Sequence, residues 1–220
     1  MLLYDTLVAP NPTVVRIFIL ERGGLKLKVQ AIDIMNLENR RLAYRTEVNK
    51  RGELPALRLD DGSVLTEITA ICGYLDEVAE DGHSLFGSTP SERAVTNMWL
   101  RRMDLEIAQP LIAWYRNGAE TIDFYRGHRT PIPEARVVQK VQINQALNML
   151  DDDLDGKQYL CGTRFSAADI HLYGIVKPML ALAPWVNAPS RLNVMAWFDR
   201  MDNREACQRA IQGFGADVSV

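Results

Sequence analysis

Residues 54–67 read Leu-Pro-Ala-Leu-Arg-Leu-Asp-Asp-Gly-Ser-Val-Leu-Thr-Glu, and the fold of the first third of the chain is read outward from them. Asp60-Asp-Gly-Ser63 carries the chemistry of a hairpin turn, because Asp side chains bond the backbone two residues on and Gly accepts positive φ. Residues 54–59 and 64–66 are therefore predicted as paired strands, and the segment from about Glu67 to Glu80 as a helix following at once. Upstream, residues 36–48 are polar and read as helix or loop. Leu27, Val29 and Ala31 alternate within residues 25–34 as a strand does. Residues 13–22 hold Val14, Val15, Ile17, Phe18, Ile19 and Leu20 and stop at Gly23-Gly24, which predicts a buried helix with a glycine C-terminus. Residues 1–7 are a short apolar run suited to a strand. The order is βαβ, then α or loop, then ββα.

Downstream the strand signals stop. Thr89-Pro-Ser-Glu92 places an N-cap, a proline at the first helical position and a glutamate at the third, a capping box opening a long helix. Trp99, Met103, Ile107 and Leu111 fall on one face of it, and Pro110 predicts a kink. Ile143, Leu147, Leu150 and Leu154 repeat the pattern, and further helices are expected near 190–201 and 204–212. In Phe165-Ser-Ala-Ala-Asp-Ile170, Ser166 and Asp169 read as a structural helix cap. The predicted organisation is an α+β unit over 1–80, a linker over 81–89 and an all-helical part over 90–220.

The hydrophobic fraction of 47% and charged fraction of 24% exclude disorder, and the net charge of −3 disfavours nucleic acid as a partner. No apolar run has the length of a membrane span and no signal peptide is seen, so a cytoplasmic protein without membrane association is expected. Cys72, Cys161 and Cys207 are widely spaced and read as buried, reduced thiols. His83, His128 and His171 show no ligand spacing, so no metal is expected.

Ala9-Pro-Asn-Pro-Thr-Val-Val-Arg-Ile17, Asn49-Lys-Arg-Gly-Glu-Leu-Pro-Ala-Leu57, Asp61-Gly-Ser-Val-Leu-Thr-Glu67, Ala70-Ile-Cys-Gly-Tyr-Leu75 and the box at 165–170 resemble, in order and spacing, the cytosolic glutathione transferase superfamily. The resemblance implies a thioredoxin-like glutathione-binding domain followed by an all-α domain that contributes the acceptor pocket. It implies a cis bond before Pro55, with Leu54 offering its backbone to the cysteinyl part of glutathione. Glu67 and Ile68 would meet the γ-glutamyl group, the family's usual serine hydroxyl being absent at Ile68. Arg40 or Arg41 would reach the glycyl carboxylate, and Trp114, Tyr115 or Tyr173 would line the acceptor pocket.

Many relatives carry Ser or Cys where Ala9 stands, so the thiolate donor implied here is Asn11, as in some members resembling the Nu-type branch, or else Thr13. Between Pro10 and Pro12, Asn11 also reads as a turn residue and helix cap. The implied partners are glutathione as co-substrate, a small electrophile or disulfide, and a second copy of the chain. The implied reaction is attack of the glutathione thiolate on a soft electrophile, a detoxification chemistry. Glutathione-dependent disulfide reduction and a non-catalytic binding module are the alternatives that Ala9 leaves open.

Overall fold

The computed structural model describes residues 1–220. Strand β1 (Leu2–Asp5), helix α1 (Pro10–Arg22) and strand β2 (Lys26–Ala31) form a parallel βαβ unit with Leu3 opposite Val29. A 3-10 turn at Glu38–Arg40 and helix α2 (Leu42–Glu47) follow. Strands β3 (Ala56–Arg58) and β4 (Val64–Leu65) make the expected hairpin, and helix α3 (Ile68–Val78) begins three residues on. Because strand side chains alternate between faces, Leu3, Leu27 and Leu57 enter the main core with α1 and α3, while Tyr4 and Ala56 meet Ile32, Tyr44 and Leu54 beneath α2.

The helical part holds α4 (Pro90–Met103), α5 (Gln109–Arg116), α6 (Ile122–Tyr125), α7 (Ala135–Asp153), α8 (Ala167–Val176), α9 (Leu192–Asp202) and α10 (Glu205–Ala210). The α4 capping box is formed: Thr89 Oγ1 accepts the Glu92 N–H at 3.1 Å and the Glu92 carboxylate accepts the Thr89 N–H at 3.2 Å. Pro110, which cannot donate to the carbonyl four residues back, stands just after one turn of π-helix at Asp104–Ala108.

Two elements depart from the sequence reading. Helix α1 starts at Pro10, with Ala9 as its N-cap, so the Pro-Asn-Pro segment is the first helical turn. Proline costs little there, because first-turn N–H groups have no intrahelical partner to lose. The chain also does not end as helix: β5 (Asp217–Ser219) pairs antiparallel with β2, giving one sheet in the order β4-β3-β1-β2-β5. Three residues with a single buried Val218 carry too little alternation to show as a strand in sequence.

The two halves share one apolar cluster, with α1 lying against α8, a helix buried on every side. Gly174 permits this approach: a Cβ there would stand 2.7 Å from Val14 Cγ2 and 2.8 Å from its Cα. Arg16, fully buried, ties the halves together, with Nη1 donating to Asp5 Oδ1 at 2.7 Å and Nε to the Ala210 carbonyl at 2.8 Å. No helix is long and apolar enough to cross a membrane.

Candidate functional site

The start of α1 faces the cleft between the halves. Of its first three positions only Asn11 keeps a backbone N–H, since Pro10 and Pro12 have none. The Asn11 side chain caps nothing, and its Oδ1 is buried without a hydrogen-bond partner in the chain. Thr13 is committed elsewhere: its buried hydroxyl donates to the Ala9 carbonyl at 3.1 Å and accepts from Arg16 Nη2 at 2.9 Å. The Thr13 hydroxyl is thus engaged within the chain, and the groups left as candidate donors are Asn11 and the Thr13 backbone N–H.

Two cavities open on either side of Asn11. The smaller, of about 80 Å³, is polar and is bounded by Asn11, Leu54, Pro55 and the start of α3 on one side and by Asp104, Gln109 and His171 on the other. The Leu54–Pro55 bond is cis. Neither backbone group of Leu54 has a partner within the chain, while the neighbouring Glu53 carbonyl is fixed by Tyr44 Oη at 2.9 Å and Asn49 Nδ2 at 3.0 Å. Glu67 caps α3 at φ 69°, a sparsely populated region for a residue with a Cβ, and the first α3 N–H groups point past it unpaired. His171 is 2% exposed, yet neither ring nitrogen has a hydrogen-bond partner; Nε2 lies 3.5 Å from Asp104 Oδ1. The same Asp104 oxygen accepts from Gln109 Nε2 at 3.2 Å, and these neighbours, His171 foremost, hold its carboxyl below the usual range against the opposing effect of burial.

The larger cavity, of about 190 Å³, lies between the halves and shares Asn11, Glu53 and Leu54 with the smaller one. Ile112, Tyr115, Phe124, Tyr125, Met179 and Leu182 give it an apolar and aromatic wall, and Arg40, Arg116, His128 and Arg129 a basic one. The Arg40 guanidinium lies 4.6 Å from the Phe124 ring centroid and 5.3 Å from that of Tyr125. It donates to the Phe124 carbonyl, and Arg129 pairs with Glu53, so two contacts hold the halves together across the cavity. Burial, and after it Arg40 and Arg129, push the His128 imidazole below its ordinary value.

The structure brings Asn11, Arg40, Leu54, Pro55, Glu67, Ile68 and Tyr115 onto the cavity walls. It places the others elsewhere. Arg41 is exposed and donates to the Asn36 carbonyl at 3.4 Å, because adjacent residues at the 3-10 turn point apart. Trp114 is buried behind the cavity, with Arg136 stacked 4.1 Å from its ring centroid and Trp185 meeting it edge-on. Tyr173 is core, packed between Trp197 and Phe198 with its hydroxyl donating to Asp202. Asp169 is structural as expected, but more than a cap: it accepts from the Ser166 N–H at 3.0 Å and Oγ–H at 2.9 Å, the Leu160 N–H at 2.9 Å and Trp197 Nε1 at 3.0 Å.

Cys161 is half-buried rather than buried. Burial pushes the Cys207 thiol up to about 12 and raises Cys72 as well, so neither is a nucleophile near neutral pH. The sequence reading missed Arg116, Phe124, Tyr125, His128 and Arg129 as wall residues. Their signal was the interleaving of basic and aromatic residues through 115–129, a segment that lacks a sustained apolar period.

Comparison with known proteins identifies the family to which both halves are similar. Residues 10–78 match the family model of the glutathione S-transferase N-terminal domain, and residues 121–205 that of the glutathione S-transferase C-terminal domain. The chain is 28% identical over 219 residues to glutathione S-transferase 2 of Saccharomyces cerevisiae, covering 96% of this chain and 90% of the relative. It is 29% identical over 199 residues to glutathione S-transferase GstA of Escherichia coli O157:H7, covering 89% and 90% of the two chains. The crystal structure of Gtt2 from Saccharomyces cerevisiae superposes with a TM-score of 0.83 at 26% identity, covering 96% of this chain and all of that one.

Proposed function

The chain belongs to the cytosolic glutathione S-transferase superfamily, and from that premise we propose that it binds glutathione along residues 53–55 and presents the thiolate to an electrophile held in the larger cavity. The observation that carries this reading is the place of Asn11, a polar side chain with no partner in the chain, on the wall of both cavities at once. A tripeptide lying in the polar cavity would find the unpaired Leu54 N–H and C=O for its cysteinyl backbone, as an added strand does. The first turn of α3, with the Ile68 N–H, would take the γ-glutamyl carboxylate, since a helix start offers free donors and partial positive charge. Glu67 would take the γ-glutamyl ammonium and Arg40 the glycyl carboxylate.

The thiol then lies at the mouth of α1. With the Ala9 side chain unable to donate, Asn11 stabilises the thiolate by donating from its side-chain Nδ2–H and its backbone N–H, aided by the positive end of the helix. The thiolate sulfur attacks the electrophilic carbon, a C–S bond forms, the leaving group departs with the bonding pair, and the thiol proton goes to solvent. Proximity across Asn11 supplies the orientation.

A reducing cytoplasm suits three free thiols. A second copy of the chain is the partner we assign to the exposed stripe of Val95, Met98 and Leu105. Calorimetry at millimolar glutathione, followed by turnover of a haloarene beside hydroxyethyl disulfide, tests the reading. Heat of binding with haloarene conjugation is the expected result, and binding with disulfide reduction alone would replace transfer by reduction. No binding at several millimolar would leave only a binding module of this fold.

A further inference from the structure

We propose that the electrophile this cavity selects is anionic: an arene whose electron-poor ring lies against Phe124 and Tyr125 and whose carboxylate or sulfonate rests on the Arg116 guanidinium. The inference rests on the reading above, in which the larger cavity holds the acceptor.

Its basis is the charge balance of the wall. Three guanidinium groups, Arg40, Arg116 and Arg129, border the cavity against a single carboxylate, Glu53, which is already paired with Arg129. Arg40 donates to the Phe124 carbonyl, and its Nε is buried without a partner, the place assigned to the glycyl end of glutathione. Arg116 remains. It is the last residue of α5, half-buried, and neither an ion pair nor a side-chain hydrogen bond reaches its guanidinium; the nearby Glu120 is engaged by Arg136 at 3.1 Å. A guanidinium on a cavity wall without a counter-charge is free to form a charge-assisted hydrogen bond to an anion seated there. The neighbouring His128 reports the same field: after burial, its imidazole is held below the ordinary value by Arg40, Arg129 and Arg116, with Glu53 alone opposing. An aromatic floor beside an unpaired guanidinium recognises a ring and an anion together, whereas a neutral arene would use only the floor.

The test compares 4-chloro-3,5-dinitrobenzoate with its methyl ester, each rate divided by the uncatalysed rate with glutathione. In both, the thiolate sulfur attacks the ring carbon bearing chlorine, the C–S bond forms, the C–Cl bond breaks, chloride leaves with the bonding pair and the thiol proton passes to buffer. The wild-type chain should favour the acid in kcat/KM by about tenfold, the scale of one charge-assisted hydrogen-bonded pair. That ratio should fall toward one in Arg116→Gln, be largely kept in Arg116→Lys, and shrink as salt rises from about 20 to about 500 mM. A ratio near one in the wild type overturns the inference while leaving the transferase reading intact. So does an Arg116→Gln variant that keeps the ratio and only raises KM for glutathione, which would assign the cation to the tripeptide. Loss of turnover with both compounds would instead bring down the transferase reading on which the inference stands.

Discussion

The two cavities that meet at Asn11 are built by different means. The polar one is largely backbone: the unpaired peptide groups of Leu54, the first turn of α3 and the Asn11 N–H between the two prolines of α1. The larger one is side chain: Arg40, Arg116, Phe124, Tyr125 and Arg129 converge from three separate segments. A site made of backbone fixes the path of the chain and so requires prolines, turns and helix starts at set places. A site made of side chains asks only that the right groups arrive together. If the distinction holds, substitutions should separate the cavities, except where one residue supports both.

The largest effect is expected at such a shared support. Helix α8 carries His171 to the polar cavity, and Met179 just beyond it to the larger one. Asp169 fixes this helix by accepting four hydrogen bonds in a fully buried position. Asp169→Ala strands those donors and should cost roughly 3–5 kcal/mol of unfolding free energy, several times the ~1 kcal/mol of a simple cap. Denaturant unfolding checks this, and a loss of only about 1 kcal/mol would reduce Asp169 to the capping role the sequence suggests.

Next comes Asn11, the polar side chain at the junction that has no partner within the chain, whereas Glu53 is paired with Arg129. Asn11→Ala should lower kcat/KM by about tenfold, one hydrogen bond to the thiolate worth ~1.4 kcal/mol, and raise the pKa of bound glutathione. Thr13→Val, two residues on, should leave that titration unmoved, because the Thr13 hydroxyl is spent between the Ala9 carbonyl and Arg16. Thiolate absorbance against pH, with glutathione bound, decides between them. Equal shifts in both variants would mean that the helix end as a whole, not Asn11, holds the sulfur.

The same division explains what was legible in the sequence. Leu-Pro-Ala-Leu, Asp-Asp-Gly-Ser and Thr89-Pro-Ser-Glu92 are punctuation that the backbone requires, and they placed the hairpin, the Leu54 segment and α4 where the structure has them. Pro10 and Pro12 read as a turn in sequence because proline serves a turn and a helix start equally well, and the φ/ψ of Ala9 separates the two. Trp114 and Tyr173 are expected on the pocket through the resemblance alone, which does not tell the core side of a helix from the cleft side. Arg129 goes unread because its partner Glu53 lies far off in sequence, and Arg116 because no ion pair within the chain marks it.

A narrower test concerns Glu67, which borders the polar cavity alone. Glu67→Gln should raise KM for glutathione by about threefold to fivefold, the modest worth of an exposed ion pair, and leave KM for the acceptor where it was. Steady-state kinetics with each substrate varied in turn checks this. A parallel rise in the acceptor KM would mean that the cavities act as one pocket.

The smallest effect sharpens the comparison where it is least clean, for the deep wall of the polar cavity is made of side chains from the helical half. There Asp104 lies 3.5 Å from His171 Nε2, and His171 does most to hold its carboxyl below the ordinary 3.8. A carboxyl lowered in the native state binds fewer protons there than in the unfolded chain. Its contribution is therefore complete above the unfolded value and is lost as pH falls through the folded one. Stability measured from pH 3.8 downward should consequently fall more steeply in the wild type than in His171→Gln. Asp33, Asp61 and Glu92, also lowered in the folded chain, titrate in both proteins and cancel in the difference. Coincident slopes would mean that His171 adds no charge coupling to this wall, and the polar cavity would then owe its electrostatics to the helix starts of α1 and α3 alone.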